Sequence, residues 1–471
     1  MKIMRARRVA VLVLSMVAAM VVAGCSGDSG SASDAGPSGE NPVLGDWHGT
    51  IDVPGQPLEV GVTFSAVDSA TIDIPSQGVA DAPLSAVSAK ADQVEFTIPD
   101  IPGDPTFRGR LDSAAGQITG DFTQSGQTFA LVMDRGAIPA AARPQEPKPP
   151  FPYVSEDVTY ANGDITIAGT LTKPEGEGPF PAVLMLTGSG PQDRNEELFG
   201  HKPFLLIADT LTRAGYAVLR TDDRGVGGTS GNLDQATYDD LAGDAAAGVD
   251  YLSNRADIDP ARIGLFGHSE GGYLAPLVAS KPDSGVTFAI LMAGPAVPGG
   301  DVLIEQNRAL FAAGGASPEE TAAQVDYITA LADAMRAGDL DKARQVAREH
   351  NQTLPEGQRM TDEQIDALLT PSMTSFMSYD PAPALSALRV PVLAFFGEKD
   401  LQVLPSQNEQ PMRDLLAGDP DATVHTFPGL NHLMQPAGSG LPSEYSTIET
   451  TIAPEVLDYV KDWLTQRVPA K

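Results

Sequence analysis

From Tyr153 to the C terminus, short apolar runs alternate with longer stretches of helical texture, and that alternation restricts the chain to very few architectures. The runs are "FPAVLMLTG", "GYAVLRTD", "RIGLFGHS", "TFAILMAG", "PVLAFFGEKD" and "ATVHTFPG". Between them lie stretches such as "HKPFLLIADTLTRA", "ATYDDLAGDAAAGVDYLSNR" and "GGYLAPLVASK". Strands that are apolar on both sides must be covered on both faces, and the intervening helices supply the cover. The expected fold is therefore α/β: a mostly parallel sheet with helices on both faces, entered through a hairpin in "EDVTYANGDITIAGTLTKP". Residues 301–386 break the rhythm. They offer no strand candidate, but they hold helix-forming sequence such as "SPEETAAQVDYITALADAMRAGDLDKARQVAREHN". This is too long for a plain crossover and is read as a helical cap over one face of the sheet.

The chain ahead of Tyr153 has three other textures. Residues 42–136 contain short alternating runs such as "GDWHGTIDV", "LEVGVTFSAV" and "QTFALVMDR", broken by Gly, Pro and Asp. Roughly seven or eight strands at this spacing point to a small all-β barrel or sandwich. Trp47 is expected to plug its interior and His48 to lie on its surface. Residues 137–152 are proline-rich and read as a semi-rigid linker. Residues 25–41 are rich in Gly, Ser and Asp without an apolar period, as in a flexible tether.

Residues 1–24 begin with "MKIMRARR", carrying four basic side chains, followed by a short apolar run and small residues. That order describes a secretory leader, and the run falls short of the ~20 apolar residues that a spanning helix needs. Val22-Ala23-Gly24-Cys25 matches the bacterial lipobox, in which cleavage precedes a lipid-modified cysteine. Cys25 is the only cysteine, so a disulfide is excluded and acylation explains the lone thiol. The expected location is the cell envelope, outside the cytoplasm, with the chain anchored to a membrane at Cys25. A net charge of −31 repels phosphate backbones and argues against nucleic acid as a partner.

The chemistry concentrates at Gly267-His268-Ser269-Glu270-Gly271, a G-x-S-x-G sequence directly after one apolar run and before a helical stretch. In that context it forms a nucleophile elbow: a tight strand-to-helix turn raises the hydroxyl above the sheet edge, and only glycines fit around it. A serine hydroxyl needs a base and an acid behind that base, and in this motif they follow the serine in the order acid, then histidine. Three histidines remain downstream. His350 lies in the helical insertion and His425 within a strand, whereas His432 lies in the loop after the last strand and is the expected base. Asp400, closing the turn of "GEKD", is the expected acid, with Glu398 as the alternative. The oxyanion hole is expected from the backbone amide of Glu270 together with one from the turn Thr187-Gly188-Ser189-Gly190, that of Ser189 or of Gly188.

With "LTGSGPQDRN", "RTDDRGVGGTS", "FGHSEGG", "SYDPAPAL", "FFGEKDLQV" and "GLNHLMQ" in this order, residues 153–471 resemble the α/β-hydrolase superfamily. They look in particular like bacterial serine esterases related to the prolyl-oligopeptidase and acyl-CoA thioester hydrolase branches. The resemblance implies hydrolysis of small-molecule carboxylic esters, often short-chain or acetyl esters, through an acyl-enzyme. Many such esterases carry H-G-G-G where this chain has Thr187-Gly188-Ser189-Gly190. The N-terminal β-domain resembles calycin-like domains found ahead of such hydrolases. "TDDRGVGGTSG" lacks the G-K-[ST] of a phosphate loop, so Asp222, Asp223 and Arg224 are expected to make local hydrogen bonds and ion pairs. His201 is expected at a surface or helix entry. Neither a cofactor nor a metal is implied, because no group of His and acidic residues has ligand spacing. Rival readings are a peptidase or thioesterase of the same fold, or a non-catalytic lipoprotein that binds an envelope component.

Overall fold

A computed structural model describes residues 41–470 apart from 52–57, 75–78, 91, 100, 102, 104, 140, 141 and 355–358. The leader, Cys25 and most of the tether lie outside the described residues.

The first unit is one antiparallel sheet of nine strands: β1 (Gly45–Ile51), β2 (Leu58–Ala66), β3 (Ser69–Ile74), β4 (Val79–Pro83), β5 (Ser85–Lys90), β6 (Gln93–Thr97), β7 (Thr106–Asp112), β8 (Gln117–Gln124) and β9 (Gln127–Arg135). Their order is β4-β3-β2-β1-β9-β8-β7-β6-β5. The chain passes directly from one edge of the sheet to the other at Leu84. The Leu84 amide donates to the Ala70 carbonyl, and the Ala89 amide to that of Val67, which curls the sheet into a nearly closed barrel. Alternate residues of each strand point inward, so Trp47, Phe64, Phe96 and Phe107 fill the interior at 1% exposure or less. The Trp47 indole nitrogen donates to the Val43 carbonyl at 2.7 Å. His48 points outward and its ring meets the Gly136 carbonyl.

The second unit is a mixed eight-stranded sheet: β10 (Tyr153–Asn162), β11 (Ile165–Pro174), β12 (Phe180–Leu186), β13 (Ala217–Thr221), β14 (Ile258–His268), β15 (Val286–Met292), β16 (Val392–Gly397) and β17 (Ala422–Phe427). They run in the order β10-β11-β13-β12-β14-β15-β16-β17. The β10–β11 hairpin and its junction with β13 are antiparallel, and all other neighbours are parallel. Side chains of β12 alternate between two cores. Leu184 and Leu186 join Tyr273 and Leu274 on one face, while Val183 and Met185 join Phe204, Leu211 and Trp463 on the other. α2 (Tyr238–Ser253) and α3 (Gly271–Ala279) cover the first face; α1 (Pro203–Arg213) and α11 (Pro454–Arg467) cover the second.

Between β15 and β16 the chain leaves the sheet for six helices among the described residues: α4 (Gly299–Ala313), α5 (Pro318–Arg336), α6 (Leu340–Thr353), α7 (Asp362–Ala367), α8 (Pro371–Ser378) and α9 (Ala382–Ala387). Ser317 caps α5 reciprocally with Glu320, and Leu331, Met335, Val346 and Met377 make the cap a small core of its own. α10 (Pro405–Leu415) then links β16 to β17.

Strand β12 lies between β13 and β14, so successive crossovers leave it in opposite directions. In an open α/β sheet the crevice at such a switch point, beyond the carboxyl ends of the strands, is where ligands bind. Residues 187–190 and Ser269 emerge from these two neighbouring strands.

The segment read as a semi-rigid linker is tied down by specific hydrogen bonds. The Arg143 guanidinium donates to the carbonyls of Phe199, Ser446 and Ile448. Gln145 is bonded through its side chain to the backbone of Thr451 and Ile452, and Lys202 pairs with Glu146 at 2.8 Å. Residues 143–146 thus bridge two loops of the second unit.

Candidate active site

Ser269 sits between the end of β14 and the start of α3 with φ +51°, a left-handed conformation that costs a non-glycine residue of order 1–3 kcal/mol. Packing around it enforces the bend. A Cβ at Gly267 would lie 2.1 Å from the Gly271 carbonyl oxygen, and one at Gly271 would lie 2.2 Å from that of Leu186. Glycine is obligatory at both positions because the strand, the turn and the helix meet there backbone to backbone. The Ser269 amide donates to the Met292 carbonyl, and the Gly272 amide donates to that of Ser269.

His432 and Asp400 meet as a buried pair. His432 Nδ1 is 2.8 Å from Asp400 Oδ2, with the residues 4% and 2% exposed. Asp400 is fixed by its other oxygen, Oδ1, which accepts the amides of Gln402 and Val403. The alternative acid, Glu398, is occupied elsewhere and accepts the Gly429 amide. The His432 ring lies 4.8 Å from that of His268, the neighbour of Ser269. Ser269, Asp400 and His432 thus follow the carboxyl ends of the parallel strands β14, β16 and β17. The other histidines serve packing. His350 stacks on Tyr327 at 3.9 Å in the cap, and His425 stacks on Tyr459 at 4.9 Å. His201 is buried, with Nδ1 on the Thr451 hydroxyl and Nε2 on the Tyr445 carbonyl. Burial holds its pKa down at about 4, which leaves it a neutral joint between loops.

The turn after β12 narrows the choice of amides. Gly188 donates its N–H to Glu196 Oε1 at 2.7 Å, so that amide is already used, which corrects its place among the expected oxyanion donors. The Ser189 and Glu270 amides donate to no other group among the described residues. Two aspartates frame the turn. Asp223 accepts the Thr187 hydroxyl and the Gln192 amide, and Asp222 accepts the Arg194 amide and pairs with its guanidinium at 2.6 Å. Arg224 pairs with Asp244 instead. These bonds span up to 36 residues, so they fasten one loop to another where local contacts had been expected.

Burial raises the Asp223 pKa to about 8, helped by the nearby Glu270 and Glu196 carboxylates. Burial likewise raises Glu270 to about 7, although its carboxylate accepts the Tyr238 hydroxyl at 2.8 Å. Tyr238, Tyr273, Tyr379 and Phe376 form an aromatic cluster joining this wall to the cap.

One pair was not anticipated. His268 and Glu196 are each 3% exposed, and Nδ1 lies 2.8 Å from Oε1. The only hint in the sequence was a second polar residue beside the serine of the elbow. Its partner lies 72 residues away.

Residues 203–435 match the family model described as serine aminopeptidase, S33. Esterase EstD of Thermotoga maritima is 28% identical over 349 residues, 72% of this chain and 77% of that protein. The putative hydrolase YtaP of Bacillus subtilis is 35% identical over 123 residues, and the match spans only 41% of its length. Among solved structures, the Pyrococcus furiosus esterase Pf2001 superposes with a TM-score of 0.41 at 15% identity, over 71% of this chain and 99% of that one. A proline iminopeptidase of Mycobacterium smegmatis superposes at 0.42 and 20% identity, over 66% and 98%. With this strand order and the strained turn after β14, the chain has the α/β-hydrolase fold, and from α1 to the loop after β17 it is similar to the serine aminopeptidase, S33 family.

Proposed function

We propose that this hydrolase cleaves small carboxylic esters through an acyl-enzyme on Ser269. The observation that carries the reading is a buried imidazole–carboxylate pair, His432 and Asp400 at 2.8 Å, whose ring lies 4.8 Å from that of His268, the chain neighbour of a serine held at φ +51° on a strand end. Asp400 fixes the ring with its proton on Nδ1, which leaves Nε2 free to act as the base. His432 takes the Ser269 proton as the hydroxyl oxygen bonds to the ester carbonyl carbon, and the carbonyl electrons move onto oxygen. The Ser189 and Glu270 amides receive that oxyanion, each donor contributing ~3 kcal/mol. Collapse breaks the bond to the alcohol, which leaves with the proton from His432. Water, deprotonated by the same ring, then releases the acid and restores the serine. The naming of EstD as an esterase supports the ester class; short-chain or acetyl esters are the proposed substrates.

A fluorophosphonate probe tests the assignment. Wild type is expected to label and Ser269→Ala is not; equal labelling of both would overturn it. Turnover of p-nitrophenyl acetate but not of aminoacyl anilides is expected, and the reverse preference would make the enzyme a peptidase. Val22-Ala23-Gly24-Cys25 supports a further reading, that the enzyme is exported and acylated at Cys25. Cys25→Ser should then abolish incorporation of labelled palmitate and move activity from the membrane to the soluble fraction. Unchanged fractionation would refute the anchor.

A further inference from the structure

The Glu196–His268 pair joins all three parts of the proposed active site, and what it does there rests on the hydrolase reading. Glu196 Oε1 accepts two bonds, from the Gly188 amide at 2.7 Å and from His268 Nδ1 at 2.8 Å. On the far side of the ring, Nε2 is 3.3 Å from the carbonyl oxygen of His432. A carbonyl can only accept, so Nε2 carries a proton. Nδ1 faces a carboxylate oxygen and carries one as well, which makes the ring an imidazolium. Burial opposes that charge, but the Glu196 carboxylate, the His432 carbonyl and Asp400 together outweigh it and the net pKa shift is upward. One ion pair therefore grips the turn that precedes Ser189 and the backbone of His432, while its histidine is covalently next to Ser269.

The arrangement is costly to maintain. Glu196 is held at φ +53° and its second oxygen, Oε2, is buried without a partner among the described residues. Burying two charges costs several kcal/mol per ion, and an apolar pair of similar volume often stabilises a core better. A methyl group at Gly188 would sit 3.2 Å from Glu196 Oε1 and 3.5 Å from Ser269 Cβ, so the carboxylate, the turn and the nucleophile are in close contact. A shift of one is transmitted to the others.

We propose that Glu196 and His268 are positioning residues of the reaction, a charged brace that sets the oxyanion turn and the His432 loop in register with Ser269. Neither touches the substrate. Their removal should therefore lower kcat and leave KM nearly unchanged, because the loss is felt where charge develops on the oxyanion and on His432.

The test compares wild type, Glu196→Ala, Glu196→Gln and Ser269→Ala by fluorophosphonate labelling, p-nitrophenyl acetate kinetics and thermal melting. Glutamine is isosteric and keeps an acceptor for the Gly188 amide. Without the carboxylate charge, however, His268 is neutral, and one proton cannot serve both Glu196 and His432. Glu196→Ala is expected to lose ~100-fold in kcat, the scale of a displaced oxyanion donor. Glu196→Gln should lose ~10-fold, releasing only one arm, with KM within ~3-fold in both. If Glu196→Ala does not fold, the glutamine variant decides. A folded glutamine variant with kcat within 2-fold of wild type overturns the brace, as does a loss confined to KM. These outcomes are read against wild type labelled in a Ser269-dependent manner; if that dependence is missing, the hydrolase reading itself falls, and the brace falls with it.

Discussion

On the proposed mechanism, Asp400 is where a single atom separates an oriented base from a misoriented one. Asp400→Asn keeps the two backbone bonds to Gln402 and Val403 but presents an amide to His432 Nδ1, favouring the wrong tautomer. We expect kcat to fall by ~10³-fold or more with Tm nearly unchanged; steady-state kinetics beside melting curves would check this. Glu270 makes a different prediction. Its pKa rises from the ordinary 4.5 to about 7 in the folded protein, so in that window the native state holds a proton that the unfolded chain has released. Stability contributed by this group is full below pH 4.5 and is lost as pH climbs through 7. Glu270→Gln should therefore melt higher than wild type at pH 8, by ~2 °C or more, and the difference should close toward pH 5. A pH-independent offset would contradict the assignment.

At the scale of elements, the elbow works by close approach of backbones. Gly267→Ala would place its methyl 2.1 Å from the Gly271 carbonyl, and no side chain there can move aside. We expect a loss of ~3 kcal/mol or more, seen as a lower denaturation midpoint, together with loss of Ser269 labelling. This junction was legible in the sequence because a motif, a strand before it and a helix after it all point to one geometry. His432 and Asp400 were singled out for a related reason, that each follows a particular strand as few candidates do, and their side chains are paired at 2.8 Å. The Glu196–His268 pair was not, since nothing local announces a contact across 72 residues. In the β-domain, seven strands show alternating apolar residues, but β4 and β5, "VADAP" and "SAVSAK", do not. They form the two edges of the sheet, where the ladder continues on one side only and β-propensity is least demanded. Composition likewise described the linker as a spacer, because hydrogen bonds from Arg143 and Gln145 go to backbone groups and leave no sequence signature.

At the scale of the whole molecule, that linker matters more than its length suggests. Arg143 gathers carbonyls from two loops: Phe199, downstream of the oxyanion turn, and Ser446 and Ile448, downstream of His432. His201 ties the same loops a second time through Thr451 and Tyr445. Arg143→Ala is expected to cost ~1–3 kcal/mol, read as a lower Tm, because carbonyls that were half-buried against a guanidinium lose their donor. The consequence reaches anyone who wishes to separate the two halves. Cutting the polypeptide at residue 153, where the sheet begins, would discard this fastening and leave the two loops to the His201 tie; cutting at 137 would keep both. The hydrolase thus owns a piece of chain that its own sheet never enters, and its functional border lies upstream of its architectural one.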